Sequence, residues 1–375
     1  MKITIFGDIC PTNDTLEKFK SGDAEGLFHD ILPMMQESDL VIGNLECALT
    51  DEPKPIQKAG PVLHAPTCSI KALKSAGFHV LSLANNHIRD CGTQGVINTI
   101  DKCHSAGIKT VGAGENISQA KKPLIIDEGG CKVGIASFAE HEFNFATNDR
   151  PGAATLDVYA DFDELRLLRK QVDTLIVFYH GGIEYHPYPS PLLAKKCRKM
   201  VECGADLVLC QHSHCVGTIE RIGSSCIVYG QGNSLFGYRE NDESWNSGMI
   251  INVNINGEEK QINHRMIQMR KDGLHFMDED QSKKWQQVLS TRNGHINDDE
   301  FLNDQWKQFC QKGQALNLPL LLGWPRLIIA LNRRLGNFFV RLLYGKKQAN
   351  VTHNMLRCES HKEVIDNVLS QYDYN

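Results

Sequence analysis

The sequence contains no cysteine pair at CxxC spacing, no internal repeat and no low-complexity tract, and no uncharged apolar run nears the roughly 20 residues a membrane-spanning helix needs. Thirteen cysteines, an odd number, are scattered from Cys10 to Cys358. That pattern leads us to expect a reducing compartment, with most cysteines acting as small buried apolar residues. The opening MKITIFGDIC passes straight into a strand-like run without a charged-then-apolar leader, so the expected location is cytoplasmic. A net charge of −5, with no basic stripe interleaved with aromatics in the first 270 residues, makes nucleic acid an unexpected partner. What remains is ordinary for a soluble globular protein: 375 residues, 41% hydrophobic and 23% charged, enough for one large core with an appendage or for two domains.

From residue 1 to about 230, short β-branched or leucine-rich runs alternate with helix-like segments, the pattern of a layered α/β fold. The expected strands are KITIF, DLVIG, HVLSL, KVGIAS, DTLIVFY, ADLVLC and CIVYG. One helix opens with Ser190 as N-cap and Pro191 at its first position and stops at Gly204. A second runs from near Thr67 to Gly77, and a third from about Thr93 to Ala106, with Val96, Ile97, Ile100 and Cys103 on one face. Residues 247–269 read as a last pair of strands, a hairpin turning at Asn256-Gly257. Beyond Lys271 the sequence is charged and helix-prone, so a boundary is expected near 270, between a domain of residues 1–270 and a helical extension of 271–375.

The strands end in chemistry. In LVLCQHSHCVG, residues 207–217, an apolar run closes on His212 and His214. In an extended chain, side chains two apart share a face, so the two rings could grip one metal ion, although a pair of solvated loop histidines reads the same way. After KITIF comes Asp8; after DLVIG come Asn44 and Glu46; after HVLSLA come Asn85, Asn86 and His87; after DTLIVFY comes His180. Asp, Asn and His commonly start loops by bonding their own backbone. Five strands ending this way are harder to explain so, and in open α/β sheets the carboxyl ends of the strands form one crevice. Carboxylates, an amide and imidazoles together suit Mn²⁺, Fe²⁺ or Zn²⁺ better than ions held by oxygen alone. Of these, Asp8, Glu46, Asn86, His180, His212 and His214 are read as six donors, too many for one catalytic ion with an open position and suited to two divalent ions bridged by a carboxylate.

The blocks GDI, NLECALT, AGFHVLSLANNHIRDCGTQG, YHGGIEYHPYPSP, GADLVLCQHSHCVG and IVYGQGN, spread in this order over about residues 1–240, resemble the bacterial capsule-synthesis family of CapA and PgsA type, within the calcineurin-like metallophosphoesterases. The resemblance implies a four-layer αββα sandwich and a link to capsule, polysaccharide or poly-γ-glutamate production. It makes Asp8, Glu46, Asn86, His180, His212 and His214 the metal ligands and His87 the acid for a leaving oxygen. Two departures stand out: Glu46 replaces the bridging aspartate of the wider superfamily, and Cys10 stands where Asp-x-His would place a histidine, which makes its thiol a possible extra ligand. Asp90 either orients His87 or caps the helix after it. Glu184 and Asn233, on loops at the same edge, join Asn44 and Asn85 as candidates for contacting the substrate or supporting the ligands.

Between Gln305 and Cys358 there are nine Lys or Arg residues and no Asp or Glu, among LNLPLLLGWPRLIIALNRRLGNFFVRLLYG. Such a stretch could rest on the inner face of an anionic membrane, or its apolar face could dock on the catalytic domain or a second subunit. The expected function is a two-metal phosphoester hydrolase acting on a phosphorylated, polymer-related or envelope-related substrate. The alternative is a non-hydrolytic or amide-handling assembly component that keeps the fold.

Overall fold

The computed structural model describes residues 1–370, for 314 and 315 the backbone only; the last five residues of the expected extension, 371–375, lie outside it. The chain divides into two compact units, one of Met1–Leu302 and one beginning at Asn303.

The first unit is built on two sheets. The first has eight strands, ordered Gly273–Phe276, Glu259–Arg270, Ser247–Asn256, Lys2–Ile9, Leu40–Leu45, Val80–Ser82 and Lys109–Val111, with Asn233–Leu235 also paired to Lys2–Ile9. The second has six, ordered Ile219–Ile222, Ser225–Val228, Leu207–Gln211, Thr174–His180, Cys131–Ala139 and Leu124–Glu128. The middle strands of both sheets run parallel, and parallel strands buried on both faces carry the near-continuous apolar runs seen in the sequence.

Period-two alternation sorts those runs into layers. Ile176 and Phe178 pack with Ile3, Ile5, Leu40 and Ile42 between the sheets. Their neighbours Leu175, Val177 and Tyr179 face outward onto Leu193, Cys197 and Met200 of the helix Pro191–Glu202. That helix starts as expected, with the Ser190 hydroxyl accepting from the Leu193 amide at 3.1 Å. On the other side Val41, Leu45 and Leu81 pack with Phe19, Leu27, Phe28, Leu73 and Val96, side chains drawn largely from helices. The result is a four-layer αββα sandwich, as the family resemblance implies, followed by a helical region. Each buried large aliphatic side chain contributes about 1.5–3 kcal/mol.

Two expectations shift. The hairpin pairs Asn256 with Glu259, so its turn residues are Gly257, at φ +60°, and Glu258. The boundary expected at 270 falls instead in a turn, because Gly273–Phe276 pairs with Glu259–Arg270 and the helix Glu279–Gly294 inserts Trp285 and Leu289 into the inter-sheet core. The first unit therefore runs to Leu302, and the hairpin is not the last pair of strands. Beyond it lie the remainder of the helix Asp299–Leu321 and the helices Arg326–Arg334, Phe338–Leu343, Lys346–Arg357 and Glu359–Ser370. No helix among the described residues is long and apolar enough to cross a membrane.

Candidate metal centre at the strand ends

The carboxyl ends of the central strands bring Asp8, Glu46, Asn86, His180, His212 and His214 into one buried cluster. His180 Nε2 lies 3.0 Å from Asn86 Oδ1 and 3.2 Å from Glu46 Oε1. His214 stands 3.8 Å from Asp8 Oδ2 through Nδ1 and 3.9 Å from Glu46 Oε1 through Nε2. The ligand-type atoms form two triplets, Asp8–Glu46–His214 and Glu46–His180–His212, each within 4.8 Å, and Glu46 belongs to both.

The backbone that delivers the two loop histidines is not the extended one expected. His212 and His214 both have left-handed dihedrals, φ +87° and +49°, a conformation that costs about 1–3 kcal/mol per residue and persists where the surroundings impose it. Here His212 N–H donates to Asp8 Oδ2 at 3.1 Å, and His214 Nδ1 lies 2.9 Å from Asn233 Oδ1. Asn233 is placed by a close approach: a Cβ on Gly7 would sit 2.3 Å from the Gly232 carbonyl, so the first strand and the GQGN loop can lie together only with glycine there. The Asn233 amide then donates to the Trp245 carbonyl at 2.9 Å. Asn44 donates to Asp8 Oδ1 at 2.8 Å and Asn85 to the Leu45 carbonyl at 2.8 Å, so both asparagines fix the ligands' loops. Glu184 is half-buried at the rim, near enough to push the Glu46 carboxyl further up.

Both Glu46 oxygens are buried without a hydrogen-bond donor among the described residues, as is His212 Nδ1. Besides the His180 ring, the Asp8 carboxyl approaches, itself an acceptor unless protonated. Burial lifts Glu46 well above the ordinary carboxylate range and, together with Glu46, lifts Asp8 to about 6. Burial pushes His180 down to about 4 and lowers His212 and His214. Neutral imidazoles beside carboxylates that lack a counter-charge form a donor set that a divalent transition metal would complete. The residues therefore fit such an ion.

Beside the cluster, His87 Nδ1 is 2.6 Å from Asp90 Oδ2. Asp90 does not cap the following helix, whose N-cap is Cys91; it also accepts from Lys58 Nζ at 2.6 Å and from the Leu63 amide at 2.6 Å. Lys58, buried and 3.4 Å from His87 Nδ1, is a site residue that sequence reasoning missed. Cys10 is not brought to the cluster. Its side chain lies in the apolar layer with Phe6 and Phe19 and pairs with the Cys47 thiol, so the possible extra ligand is withdrawn.

Fold and donor set together define a class: an αββα sandwich with a candidate divalent-metal site at its strand ends. Within that class the chain belongs to the bacterial capsule synthesis protein family PGA_cap, whose model matches residues 2–238. A "Capsule biosynthesis protein CapA" of Bacillus anthracis is 30% identical over 254 residues, covering 65% of this chain and 61% of that protein. A "Probable polyglutamine synthesis accessory protein" of Mycobacterium tuberculosis is 28% identical over 214 residues, covering 54% and 56%. The chain thus spans about 60% of the length of these relatives. The crystal structure of a 5'-nucleotidase precursor from Thermus thermophilus aligns at a TM-score of 0.40 and 13% identity, over 84% of this chain and 59% of that one, too distant to add to the chain's own fold.

Proposed function

We propose that this protein is a two-metal hydrolase of phosphoester type that serves capsule, polysaccharide or poly-γ-glutamate synthesis, acting on a phosphorylated intermediate of that process. The observation that carries the proposal is the pair of ligand triplets sharing the buried, donor-less Glu46. Asp8, Glu46 and His214 would hold one ion, and Glu46, His180 and His212 with Asn86 the other; Mn²⁺, Fe²⁺ and Zn²⁺ all suit these donors. Bound ions would polarise a phosphoryl oxygen and lower the pKa of a water molecule.

The chain's own residues supply the acid. Asp90 occupies Nδ1 of His87, leaving Nε2 as the end that can give a proton to a departing oxygen. Burial lowers the His87 pKa, and an anionic ester docked beside the ring would favour the imidazolium again. Lys58 and the Leu63 amide hold Asp90 from its other sides, so the imidazole has a fixed aim.

Metal analysis of protein purified without chelator, followed by assays on p-nitrophenyl phosphate and bis(p-nitrophenyl) phosphate, tests this. We expect close to two ions per chain and turnover that a chelator abolishes. Protein that stays metal-free after reconstitution with Mn²⁺ would refute it. The accessory role named for the mycobacterial relative favours a second reading, a non-hydrolytic assembly component. Bound metal without turnover on either ester would support that reading.

A further inference from the structure

The second unit carries a surface that its own packing does not explain. Its helices Arg326–Arg334 and Phe338–Leu343 form a corner fastened by the buried Asn332. The Asn332 carbonyl accepts from the Asn337 amide at 2.8 Å, and its side-chain oxygen accepts from the amides of Phe339 and Val340 at 3.1 and 3.2 Å. Ile329 and Val340 are buried. The corner therefore has an inside of its own. Yet Leu327 is 85% exposed, Leu342 65% and Phe338 54%, and Ile328, Leu331 and Leu335 lie open as well.

Helical spacing sorts the longer helix into three sectors. Ile329 and Asn332, three apart, point inward; Leu327, Leu331 and Leu335, four apart, make one exposed apolar stripe with Ile328 beside it; Arg326, Arg333 and Arg334 make a basic stripe next to that one. The stretch that carries the basic sector has no counter-charge of its own, since residues 305–358 hold nine Lys or Arg and no acidic residue. An exposed apolar patch on a fixed scaffold marks an interaction surface. A basic flank beside it selects a partner that is both apolar and anionic. A lipid surface with acidic headgroups meets both conditions at once, with leucines and Phe338 entering the acyl boundary and arginines resting on phosphates.

We propose that the helical corner 326–343 is an in-plane anchor that binds the chain to an anionic lipid surface. The proposal is independent of the chemistry at the strand ends.

The test uses the full-length protein and sedimentation with vesicles of equal parts phosphatidylglycerol and phosphatidylcholine, against vesicles of phosphatidylcholine alone. We expect binding to the anionic vesicles at low salt, at least tenfold weaker on the neutral ones, and weaker again at 0.5 M NaCl as charge is screened. Leu327→Gln with Leu342→Gln removes no internal packing and should cut binding on the order of tenfold, as should Arg333→Gln with Arg334→Gln. Unchanged circular dichroism and unchanged metal content show that each variant is folded. Equal pelleting with both vesicle types, or pelleting indifferent to both pairs of substitutions, overturns the proposal. So does a wild type that ignores vesicles but forms a dimer by light scattering that Leu327→Gln dissociates, since the corner would then be covered by a second copy.

Discussion

On one side of Glu46, Asp8 and His214 already have partners from the protein: Asn44 and the His212 amide on the two Asp8 oxygens, Asn233 on the His214 ring. On the other side His180 Nδ1 lies 3.3 Å from the Asn44 amide and its Nε2 meets the Asn86 oxygen and the Glu46 carboxyl, but His212 Nδ1 has no partner among the described residues. The first half has both of its own ligands held by surrounding hydrogen bonds, the second only His180; such bonds are of the kind whose loss elsewhere weakens metal affinity about 10–100-fold. The second half borders Asn86 and so lies beside His87, the proposed acid. Under the proposed function, holding an ion tightly and reacting near it would fall on different sides of one glutamate.

Both halves share Glu46, so its removal has the largest expected effect. Glu46→Gln keeps the shape and takes away the charge both halves need. Metal content should fall from near two ions per chain to below one, and ester hydrolysis by at least about 10³-fold. A Glu46→Gln protein that keeps two ions by elemental analysis would mean the halves are separate sites, and the comparison would be broken.

His87 belongs to neither half. General acids contribute about 10²–10⁴-fold, so His87→Ala should lower turnover by that order while metal content stays near the wild-type value. His212→Ala should lose one ion as well as activity, and the ion retained should be that of the Asp8–His214 half. Equal metal loss in both variants would make His87 a ligand and erase the division between holding and reacting.

How much of this was legible depends on what local pattern can carry. The polar residues after each strand could be read because parallel strands buried on both faces must end where the apolar run ends, and the sheet edge gathers those ends. Lys58 could not. Its segment, residues 51–63, is rich in proline and lysine and has no period, and tertiary contacts, chief among them Asp90 accepting from the Leu63 amide through its side chain and from the Ile56 amide through its carbonyl, lay it over His87. Cys10 was misread because the first strand changes register around Asp8, which breaks the two-residue alternation that would aim positions 8 and 10 alike. The convergence of His212 and His214 was expected for the wrong reason, since left-handed turns and not an extended chain produce it. The boundary at 270 missed Gly273–Phe276 because a four-residue strand has too little sequence to show a period.

The finest difference between the halves concerns protons. Binding a cation requires ionised carboxylates and neutral imidazoles. In the metal-free protein Asp8, lifted to about 6 by burial and by Glu46, still holds a proton at pH 5.5, whereas His180, pushed down to about 4 by burial, has already lost its own. Glu46, raised by burial, taxes both halves equally because both use it. The ion in the Asp8–His214 half must therefore displace one proton more than the ion in the His180–His212 half. Its affinity should climb about tenfold more per pH unit below 6, and the excess should vanish above 7, where Asp8 is ionised without help. The two halves can be separated by substitution, His212→Ala leaving the first and His214→Ala the second. Mn²⁺ affinity measured by calorimetry from pH 5 to 7.5 should then give a steeper curve for His212→Ala than for His214→Ala. Parallel curves would show that Asp8 carries no extra proton, and the two halves would differ in their hydrogen bonds alone.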